Sequence, residues 1–241
     1  MSLRYAIATD RGRERENNED AALGVPELGL FAIADGMGGH LGGEVASRVA
    51  IESVLTFVKG HGPGPAPDPE DRARLLSEAA LEANSAVLHE AKERRLAGMG
   101  TTLTAIQIHE RRATICHVGD TRACLLQEGE LSALTRDHNI ASLMVDQGII
   151  SAGQATLHPE RHMLTQAIGT QESVDPDVVH AEIPARARLL LSTDGLHDVV
   201  AADVIARLAA QDDLEDAARA LIEQANAAGG PDNVTVILIE P

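Results

Sequence analysis

The stretch Thr101–Gln127, TTLTAIQIHERRATICHVGDTRACLLQ, holds three short apolar runs parted by polar turns: Thr101 to Ile108, Ala113 to Val118 and Ala123 to Gln127. Runs of this length and spacing predict an antiparallel meander, with Asp120 in the turn between the last two. Toward the N-terminus, residues 3 to 9 and 28 to 34 also read as strands, and Leu41 to Val58 as a helix with apolar residues at Val45, Val49, Ile51, Val54, Leu55 and Val58. Asp71 to Leu96 places Leu75, Leu76, Ala79, Ala83 and Val87 on one side, which predicts a long amphipathic helix lying across a sheet. Between the two, Gly60 to Pro69 is dense in Gly and Pro and reads as a surface loop. Toward the C-terminus, Val178 to Ile183, Arg188 to Ser192 and Val234 to Ile239 read as strands, and Ala202 to Ala210 and Leu214 to Ala228 as helices. From about Thr135 to Gly169 the pattern loosens: His138 to Gln147 reads as a short helix, Ser151 to His162 as helix or irregular lid, and the whole as a mobile flap. Strand runs interrupted by helix pairs favour an α+β fold of packed antiparallel sheets over a parallel doubly wound one.

At 241 residues and 44% hydrophobic content, one globular domain spanning residues 1–241 is the default. No apolar stretch reaches membrane-spanning length, and Met1-Ser2-Leu3-Arg4-Tyr5 lacks the layout of a secretory signal, so a cytoplasmic protein with no membrane partner is expected. Cys116 and Cys124 lie in apolar strand-like runs and read as small buried hydrophobes, without the ligand spacing of a zinc site. A formal net charge of −17, with one Tyr, two Phe and no Trp, argues against nucleic acid, where cationic contacts to phosphate dominate. The same charge repels a phosphorylated substrate at long range, so phosphate chemistry here must rest on bound cations and a few placed arginines.

Three aspartates stand beside glycines at the ends of apolar runs. They are Asp35 in Asp35-Gly36-Met37-Gly38-Gly39-His40, Asp194 in Asp194-Gly195-Leu196, and Asp232 in Gly229-Gly230-Pro231-Asp232-Asn233. Asp35 and Asp194 are read as following their strands and Asp232 as preceding its own; an antiparallel arrangement brings all three to one end of the sheets. Singly, each Asp-Gly pair reads equally well as a turn or a helix cap. Jointly, an oxygen-rich set without a Cys or His cluster suits Mg²⁺ or Mn²⁺. Two such ions about 3.5–4 Å apart can activate solvent and stabilise an in-line displacement at phosphorus. In Arg15-Glu16-Asn17-Asn18-Glu19-Asp20, Arg15 offers a bidentate fork to phosphate oxygens, although an arginine among acids also reads as a surface ion pair. His117, on an apolar run, reads as a core histidine.

From about Asp10 to Glu240 the chain resembles the metal-dependent protein serine/threonine phosphatases of the 2C type, in their compact bacterial form. The resemblance is carried by Asp10-Arg11-Gly12, Arg15 to Asp20, Asp35 to His40, Gly43-Glu44, Gly98 to Thr102, Val118-Gly119-Asp120-Thr121-Arg122, Asp137-His138, Ile168-Gly169, Ser192 to Asp198 and Gly230 to Asn233. It implies a four-layer α-β-β-α sandwich with helix pairs outside two antiparallel sheets and a metal cleft at one end. It also implies that Asp35 bridges two metals, Gly36 gives a carbonyl oxygen, Asp194 and Asp232 complete one shell, and Glu19 acts on the other through water with Asp20 in support. Asp120 and Asp198 match positions that help hold a more weakly bound third ion. The implied reaction is hydrolysis of phosphoserine or phosphothreonine by a metal-bridging hydroxide, with Arg15 on the phosphoryl oxygens. Met37 stands where some members have a histidine, so the expected proton donor is a metal-bound water, with His40 and His162 as alternatives. Thr121 replaces the usual serine, and His162 and Gln166 stand where asparagine and arginine are commoner.

The leading expectation is therefore a phosphatase acting on phosphorylated proteins and opposing a bacterial-type serine/threonine kinase. Two alternatives are a regulator phosphatase acting on an anti-sigma antagonist and an inactive phosphoprotein-binding scaffold, the latter disfavoured by the complete set Asp35, Asp194 and Asp232.

Overall fold

Eleven strands among the described residues form two sheets. A computed structural model describes residues 3–38, 42–62 and 68–241. Its strands are β1 (Arg4–Asp10), β2 (Asp20–Val25), β3 (Leu30–Met37), β4 (Gly100–Thr101), β5 (Leu103–His109), β6 (Arg112–Val118), β7 (Arg122–Gln127), β8 (Glu130–Ala133), β9 (Asp177–Glu182), β10 (Arg188–Ser192) and β11 (Val234–Glu240). The helices are α1 (Gly42–His61), α2 (Pro69–Arg94), α3 (Ile140–Asp146), α4 (Ala152–Ala155), α5 (Asp194–His197), α6 (Ala202–Ala209) and α7 (Leu214–Ala227). One sheet runs β1-β11-β10-β7-β8 and the other β2-β3-β5-β6-β9, with β4 paired to β3; every ladder is antiparallel.

The two-residue period of a strand divides the core into three layers. On β3, Leu30, Ala32 and Ala34 turn to α1 and α2, while Phe31 and Ile33 turn to the space between the sheets. On β11, Val234, Val236 and Leu238 pack under α6 and α7, while Ile237 and Ile239 meet Phe31 and Ile33 in the middle. The result is the expected four-layer α-β-β-α sandwich. Leu75, Leu76, Ala79, Ala83 and Val87 of α2 are all buried. Cys116 and Cys124 are buried free thiols. Among the described residues no helix is long and apolar enough to cross a membrane.

The opening stretch departs from a meander. β5 and β6 form a hairpin, but β7 pairs with β10 and β8 in the other sheet, so the chain changes sheets at Gly119-Asp120-Thr121. Equal spacing in sequence carries no record of which sheet a strand joins, and this crossing is what lifts Asp120 to the sandwich rim. The first run is also broken at Thr102, between β4 and β5. Leu28 belongs to a 3-10 turn, Pro26–Leu28, and Asp35 lies inside β3 rather than after it. Gly60 and His61 continue α1, and Pro69 opens α2, where a missing N–H costs nothing; Asp68 caps it by accepting from Asp71 N at 2.8 Å. Residues 63–67 of that loop, and Gly39, His40 and Leu41, lie outside the described residues. Within 135–169, only α3 and α4 are regular, and the segment is fastened at its ends by the bridges Asn139–Leu164 and Thr101–Ile168.

Candidate metal centre

Asp20 and Asp35 are partners on the last rung of the β2–β3 ladder. The Asp35 backbone is held by β4 and the break after it: its N–H donates to Thr102 Oγ1 at 2.8 Å, and its carbonyl accepts from Thr102 N at 2.9 Å and Thr101 Oγ1 at 2.8 Å. Gly36 N donates to Glu19 O at 3.1 Å. A Cβ on Gly36 would overlap the carbonyl oxygens of Gly43 and Glu19, so only glycine lets the start of α1 and the Glu19 backbone close on this strand.

Asp194 is the first residue of α5, two residues after β10 ends at Ser192, and Asp232 stands two residues before β11. Asn233 binds the second turn to the N-terminal loop. Its Oδ1 accepts from Glu19 N at 2.7 Å, and its Nδ2 donates to Arg11 O at 2.9 Å and Asn17 O at 2.8 Å. Arg15 Nη2 lies 2.6 Å from Asp232 Oδ2 with about half of its side chain exposed. Thr193 and Thr235 each donate a hydroxyl to Asp20 Oδ2, at 3.0 and 2.7 Å.

Of the nine residues expected at the site, eight line one cavity of about 880 Å³: Arg15, Glu19, Asp35, Gly36, Asp120, Asp194, Asp198 and Asp232. Asp20 is the ninth; it lies outside the lining, with its Oδ2 held by the two threonines. His162 Nδ1 reaches the same cavity, 3.3 Å from Asp198 Oδ2 and 4.0 Å from Asp194 Oδ2, and Arg161 Nε stands 3.9 Å from Asp198. Arg122 clamps Asp137 bidentately at 2.8 and 2.6 Å beside Asp120's turn.

Crowding of carboxylates sets the electrostatics. Burial, and then the charges of Asp20, Asp194, Asp120 and Asp232, hold Asp35 well above the ordinary carboxylate range. Burial, then Asp194, Asp137 and Asp198, does the same to Asp120. Asp20 is pushed up to about 7, chiefly by burial and against the hydrogen bonds from Thr235 and Thr193. Asp194 rises to about 6, by burial and then Asp232 and Asp198, with Asp35 hydrogen bonding opposing. Burial lowers the Arg15 guanidinium, but Asp232, Glu19 and Asp35 together outweigh it and the net shift is upward. Asp20 Oδ1 and Asp194 Oδ1 are buried without a hydrogen-bond partner. A set of acids that repel one another and leave buried oxygens unsatisfied is what divalent cations neutralise, and an all-oxygen set fits Mg²⁺ or Mn²⁺.

Two sheets between helix pairs carry this carboxylate cluster at one rim. The chain matches the family described as Protein phosphatase 2C over residues 9–238, and it belongs to that family. It is 40% identical over 241 residues to the serine/threonine protein phosphatase PstP of Mycobacterium tuberculosis, which covers all of this chain; the chain spans 45% of that relative's length. The crystal structure of the M. tuberculosis serine/threonine phosphatase PstP/Ppp superposes with a TM-score of 0.90 at 38% identity, over 100% of this chain and 99% of that one. The catalytic domain of PstP in complex with two manganese ions gives 0.86 at 37% identity, over 99% and 97%.

Sequence reasoning did not assign Thr193, Thr235, Thr102 or Asn233, which hold Asp20, Asp35 and Glu19. Thr102, Thr193 and Asn233 fall inside stretches that carry the resemblance but were given no role there; Thr235 lies outside them, and its partner Asp20 is 215 residues away. His40 lies outside the described residues. His117 is fully buried and structural, with Nδ1 2.9 Å from Thr104 Oγ1 and Nε2 3.0 Å from Arg136 O.

Proposed function

We propose that residues 1–241 form one catalytic domain that hydrolyses phosphoserine and phosphothreonine on proteins, with two divalent ions in the carboxylate cluster. The observation that carries this reading is the convergence of Asp35, Asp194 and Asp232 on one cavity with Arg15 at its edge. It is supported by the relative named a serine/threonine protein phosphatase and by the similar catalytic domain holding two manganese ions. When bound, the ions supply Lewis-acid charge at the phosphoryl oxygens and lower the pKa of coordinated water.

The chain's own residues do the rest. Asp35, the Gly36 carbonyl, Asp194 and Asp232 supply oxygen ligands, and Glu19 orients water beside them. Asp20 backs Asp35 across the ladder with its own oxygen fixed by Thr193 and Thr235. Arg15, with about half of its side chain exposed, would turn from Asp232 to place its planar fork on two phosphoryl oxygens. Asp120 and Asp198 are proposed for a third, weaker ion, with His162, Asp194 and Asp198 close enough to share one. Mn²⁺ or Mg²⁺ is the proposed metal, and a phosphoprotein in the output of a serine/threonine kinase signalling system the proposed substrate.

Hydrolysis of a phosphothreonine peptide, measured with Mn²⁺, with Mg²⁺ and after chelation, tests the reading. Turnover that needs the metal and disappears in Asp35→Asn is expected. Full turnover after chelation would contradict the mechanism, and tight peptide binding without turnover in saturating Mn²⁺ would return the scaffold reading.

A further inference from the structure

Asp137-His138 belongs to the stretches that carry the resemblance, yet neither residue lines the cavity of the carboxylate cluster. Both lie against the crossing Gly119-Asp120-Thr121, where the chain passes from one sheet to the other. Segment 136–138 is laid over segment 117–122 by contacts at three successive residues. His117 Nε2 stands 3.0 Å from Arg136 O, Arg122 holds Asp137 through Nε at 2.8 Å and Nη2 at 2.6 Å, and His138 N donates to Gly119 O at 2.6 Å. The His138 ring adds a second contact to the same residue: its Nδ1 accepts from Gly119 N at 3.3 Å. Both backbone groups of the residue before Asp120 are therefore committed to His138.

That pairing fixes the tautomer. A backbone N–H can only donate, so Nδ1 carries a lone pair, and in the neutral ring the proton sits on Nε2, 3.1 Å from Asp177 Oδ2 at the start of β9. On its other side Gly119, at φ +107°, is pressed against Thr102: a Cβ there would stand 2.5 Å from Thr102 Cγ2. Thr102 in turn accepts from Asp35 N through Oγ1 and donates its own N–H to Asp35 O. The backbone that leads into Asp120 is thus gripped between the residue that fixes Asp35 and the ring of His138. Asp120 itself is 9% exposed and shares the cavity with Asp194 and Asp198.

We propose, on the basis of the proposed ion cluster, that His138 is a positioning residue for the ion that Asp120 helps to hold, acting through the Gly119 amide. A carboxylate reaches an ion only from a backbone in the right place, and loss of a hydrogen bond behind a ligand commonly weakens metal binding by roughly ten- to a hundredfold. The acceptor at Nδ1 is the operative atom. Asp177, with more than half of its side chain exposed, is dispensable, because its loss leaves the Nε2 proton to water.

Mn²⁺ titration followed by the EPR signal of free Mn²⁺, on the whole chain and on His138→Leu, His138→Asn and Asp177→Ala, tests the proposal. His138→Leu keeps bulk against the His117 ring and removes the acceptor, whereas His138→Asn can return an oxygen acceptor to the Nδ1 position. The parent should bind two ions tightly and one weakly. His138→Leu should weaken the weak ion by roughly tenfold or more and the tight pair by less than about twofold, His138→Asn should recover to within about threefold of the parent, and Asp177→Ala should match the parent. In the metal-free parent at about pH 8, ¹⁵N spectra should show His138 Nδ1 unprotonated and Nε2 protonated, a readout that needs neither a variant nor an ion. An unchanged weak ion in His138→Leu, equal weakening of all the ions, His138→Asn no better than His138→Leu, or a proton on Nδ1 overturns the proposal, as does a parent that binds only two ions. A parent that binds no Mn²⁺ sinks the metal reading as well, and its isotherm alone tells that failure from the others.

Discussion

Asp20 and Asp35 face each other across the antiparallel β2–β3 ladder, two carboxylates on one rung and one face. Like charges so placed destabilise a sheet, and here Asp194, Asp120 and Asp232 add to the repulsion at Asp35. The fold keeps a local conflict that a bound cation would relieve, so the stability of the metal-free chain and the activity of a loaded one need not move together.

Asp35→Asn should therefore act in opposite directions on the two properties. Turnover should fall by roughly a hundredfold or more, as expected when a group stabilising transition-state charge is lost. The metal-free variant should melt higher than the parent at pH 8, by about 2–4 °C if relief of the rung is worth about 1 kcal/mol. Melting curves in EDTA beside initial rates in Mn²⁺ check both.

Asp20 titrates near 7 and Asp194 near 6 in the folded, metal-free chain, above the ordinary carboxylate value of about 4. A carboxyl whose pKa is raised by folding gives stability that is complete below about pH 4 and lost as pH climbs through 6 and 7. Buried His117 and His197, held to about 4 and 3, act oppositely: their contribution is complete above about 6.5 and is lost as pH falls toward those values. Comparing Asp20→Asn with the parent in EDTA cancels the histidines. The variant's stability advantage should be smallest near pH 4.5 and grow toward pH 8; an advantage that shrinks over that range contradicts the assignment. Mn²⁺ binding at pH 6 should also release protons, measurable by titration in buffers of different ionisation enthalpy.

Arg15→Lys keeps the charge near Asp232 and removes the fork. A loss of roughly tenfold in kcat/KM for a phosphopeptide is expected, with Mn²⁺ affinity changed by less than about threefold. Because the Arg15–Asp232 pair is half exposed, thermal stability should barely move. Equal rates for the two residues would remove Arg15 from the phosphate site.

Gly36→Ala forces a methyl onto the Gly43 and Glu19 carbonyls, both backbone and neither free to swing aside. A cost of about 1–3 kcal/mol is expected from overpacking, read as a lower melting temperature in EDTA, together with weakened Mn²⁺ binding.

Much of the candidate site was legible because the carboxylate cluster is written locally: Asp35 and Asp194 each adjoin a glycine, Asp232 follows Gly229-Gly230-Pro231, and Arg15, Glu19 and Asp20 share one six-residue run. The helices were legible too, since α1 and α2 bury one continuous stripe. What was not legible depends on pairing between distant segments. β2, DAALGV, is half-buried along its whole length and shows no alternation, so it exists as a strand because β3 lies beside it. β7 reads like β6 but joins the other sheet, and β8, whose four residues include no strongly apolar pair, forms only against β7. Thr193 and Thr235 meet Asp20 across separations of 173 and 215 residues, beyond any local pattern.

The most direct test is an anomalous difference map from crystals soaked in Mn²⁺. Two peaks about 3.5–4 Å apart are expected in the cavity, contacted by Asp35, the Gly36 carbonyl, Asp194 and Asp232. A map with no peak among these residues at saturating Mn²⁺ contradicts the account.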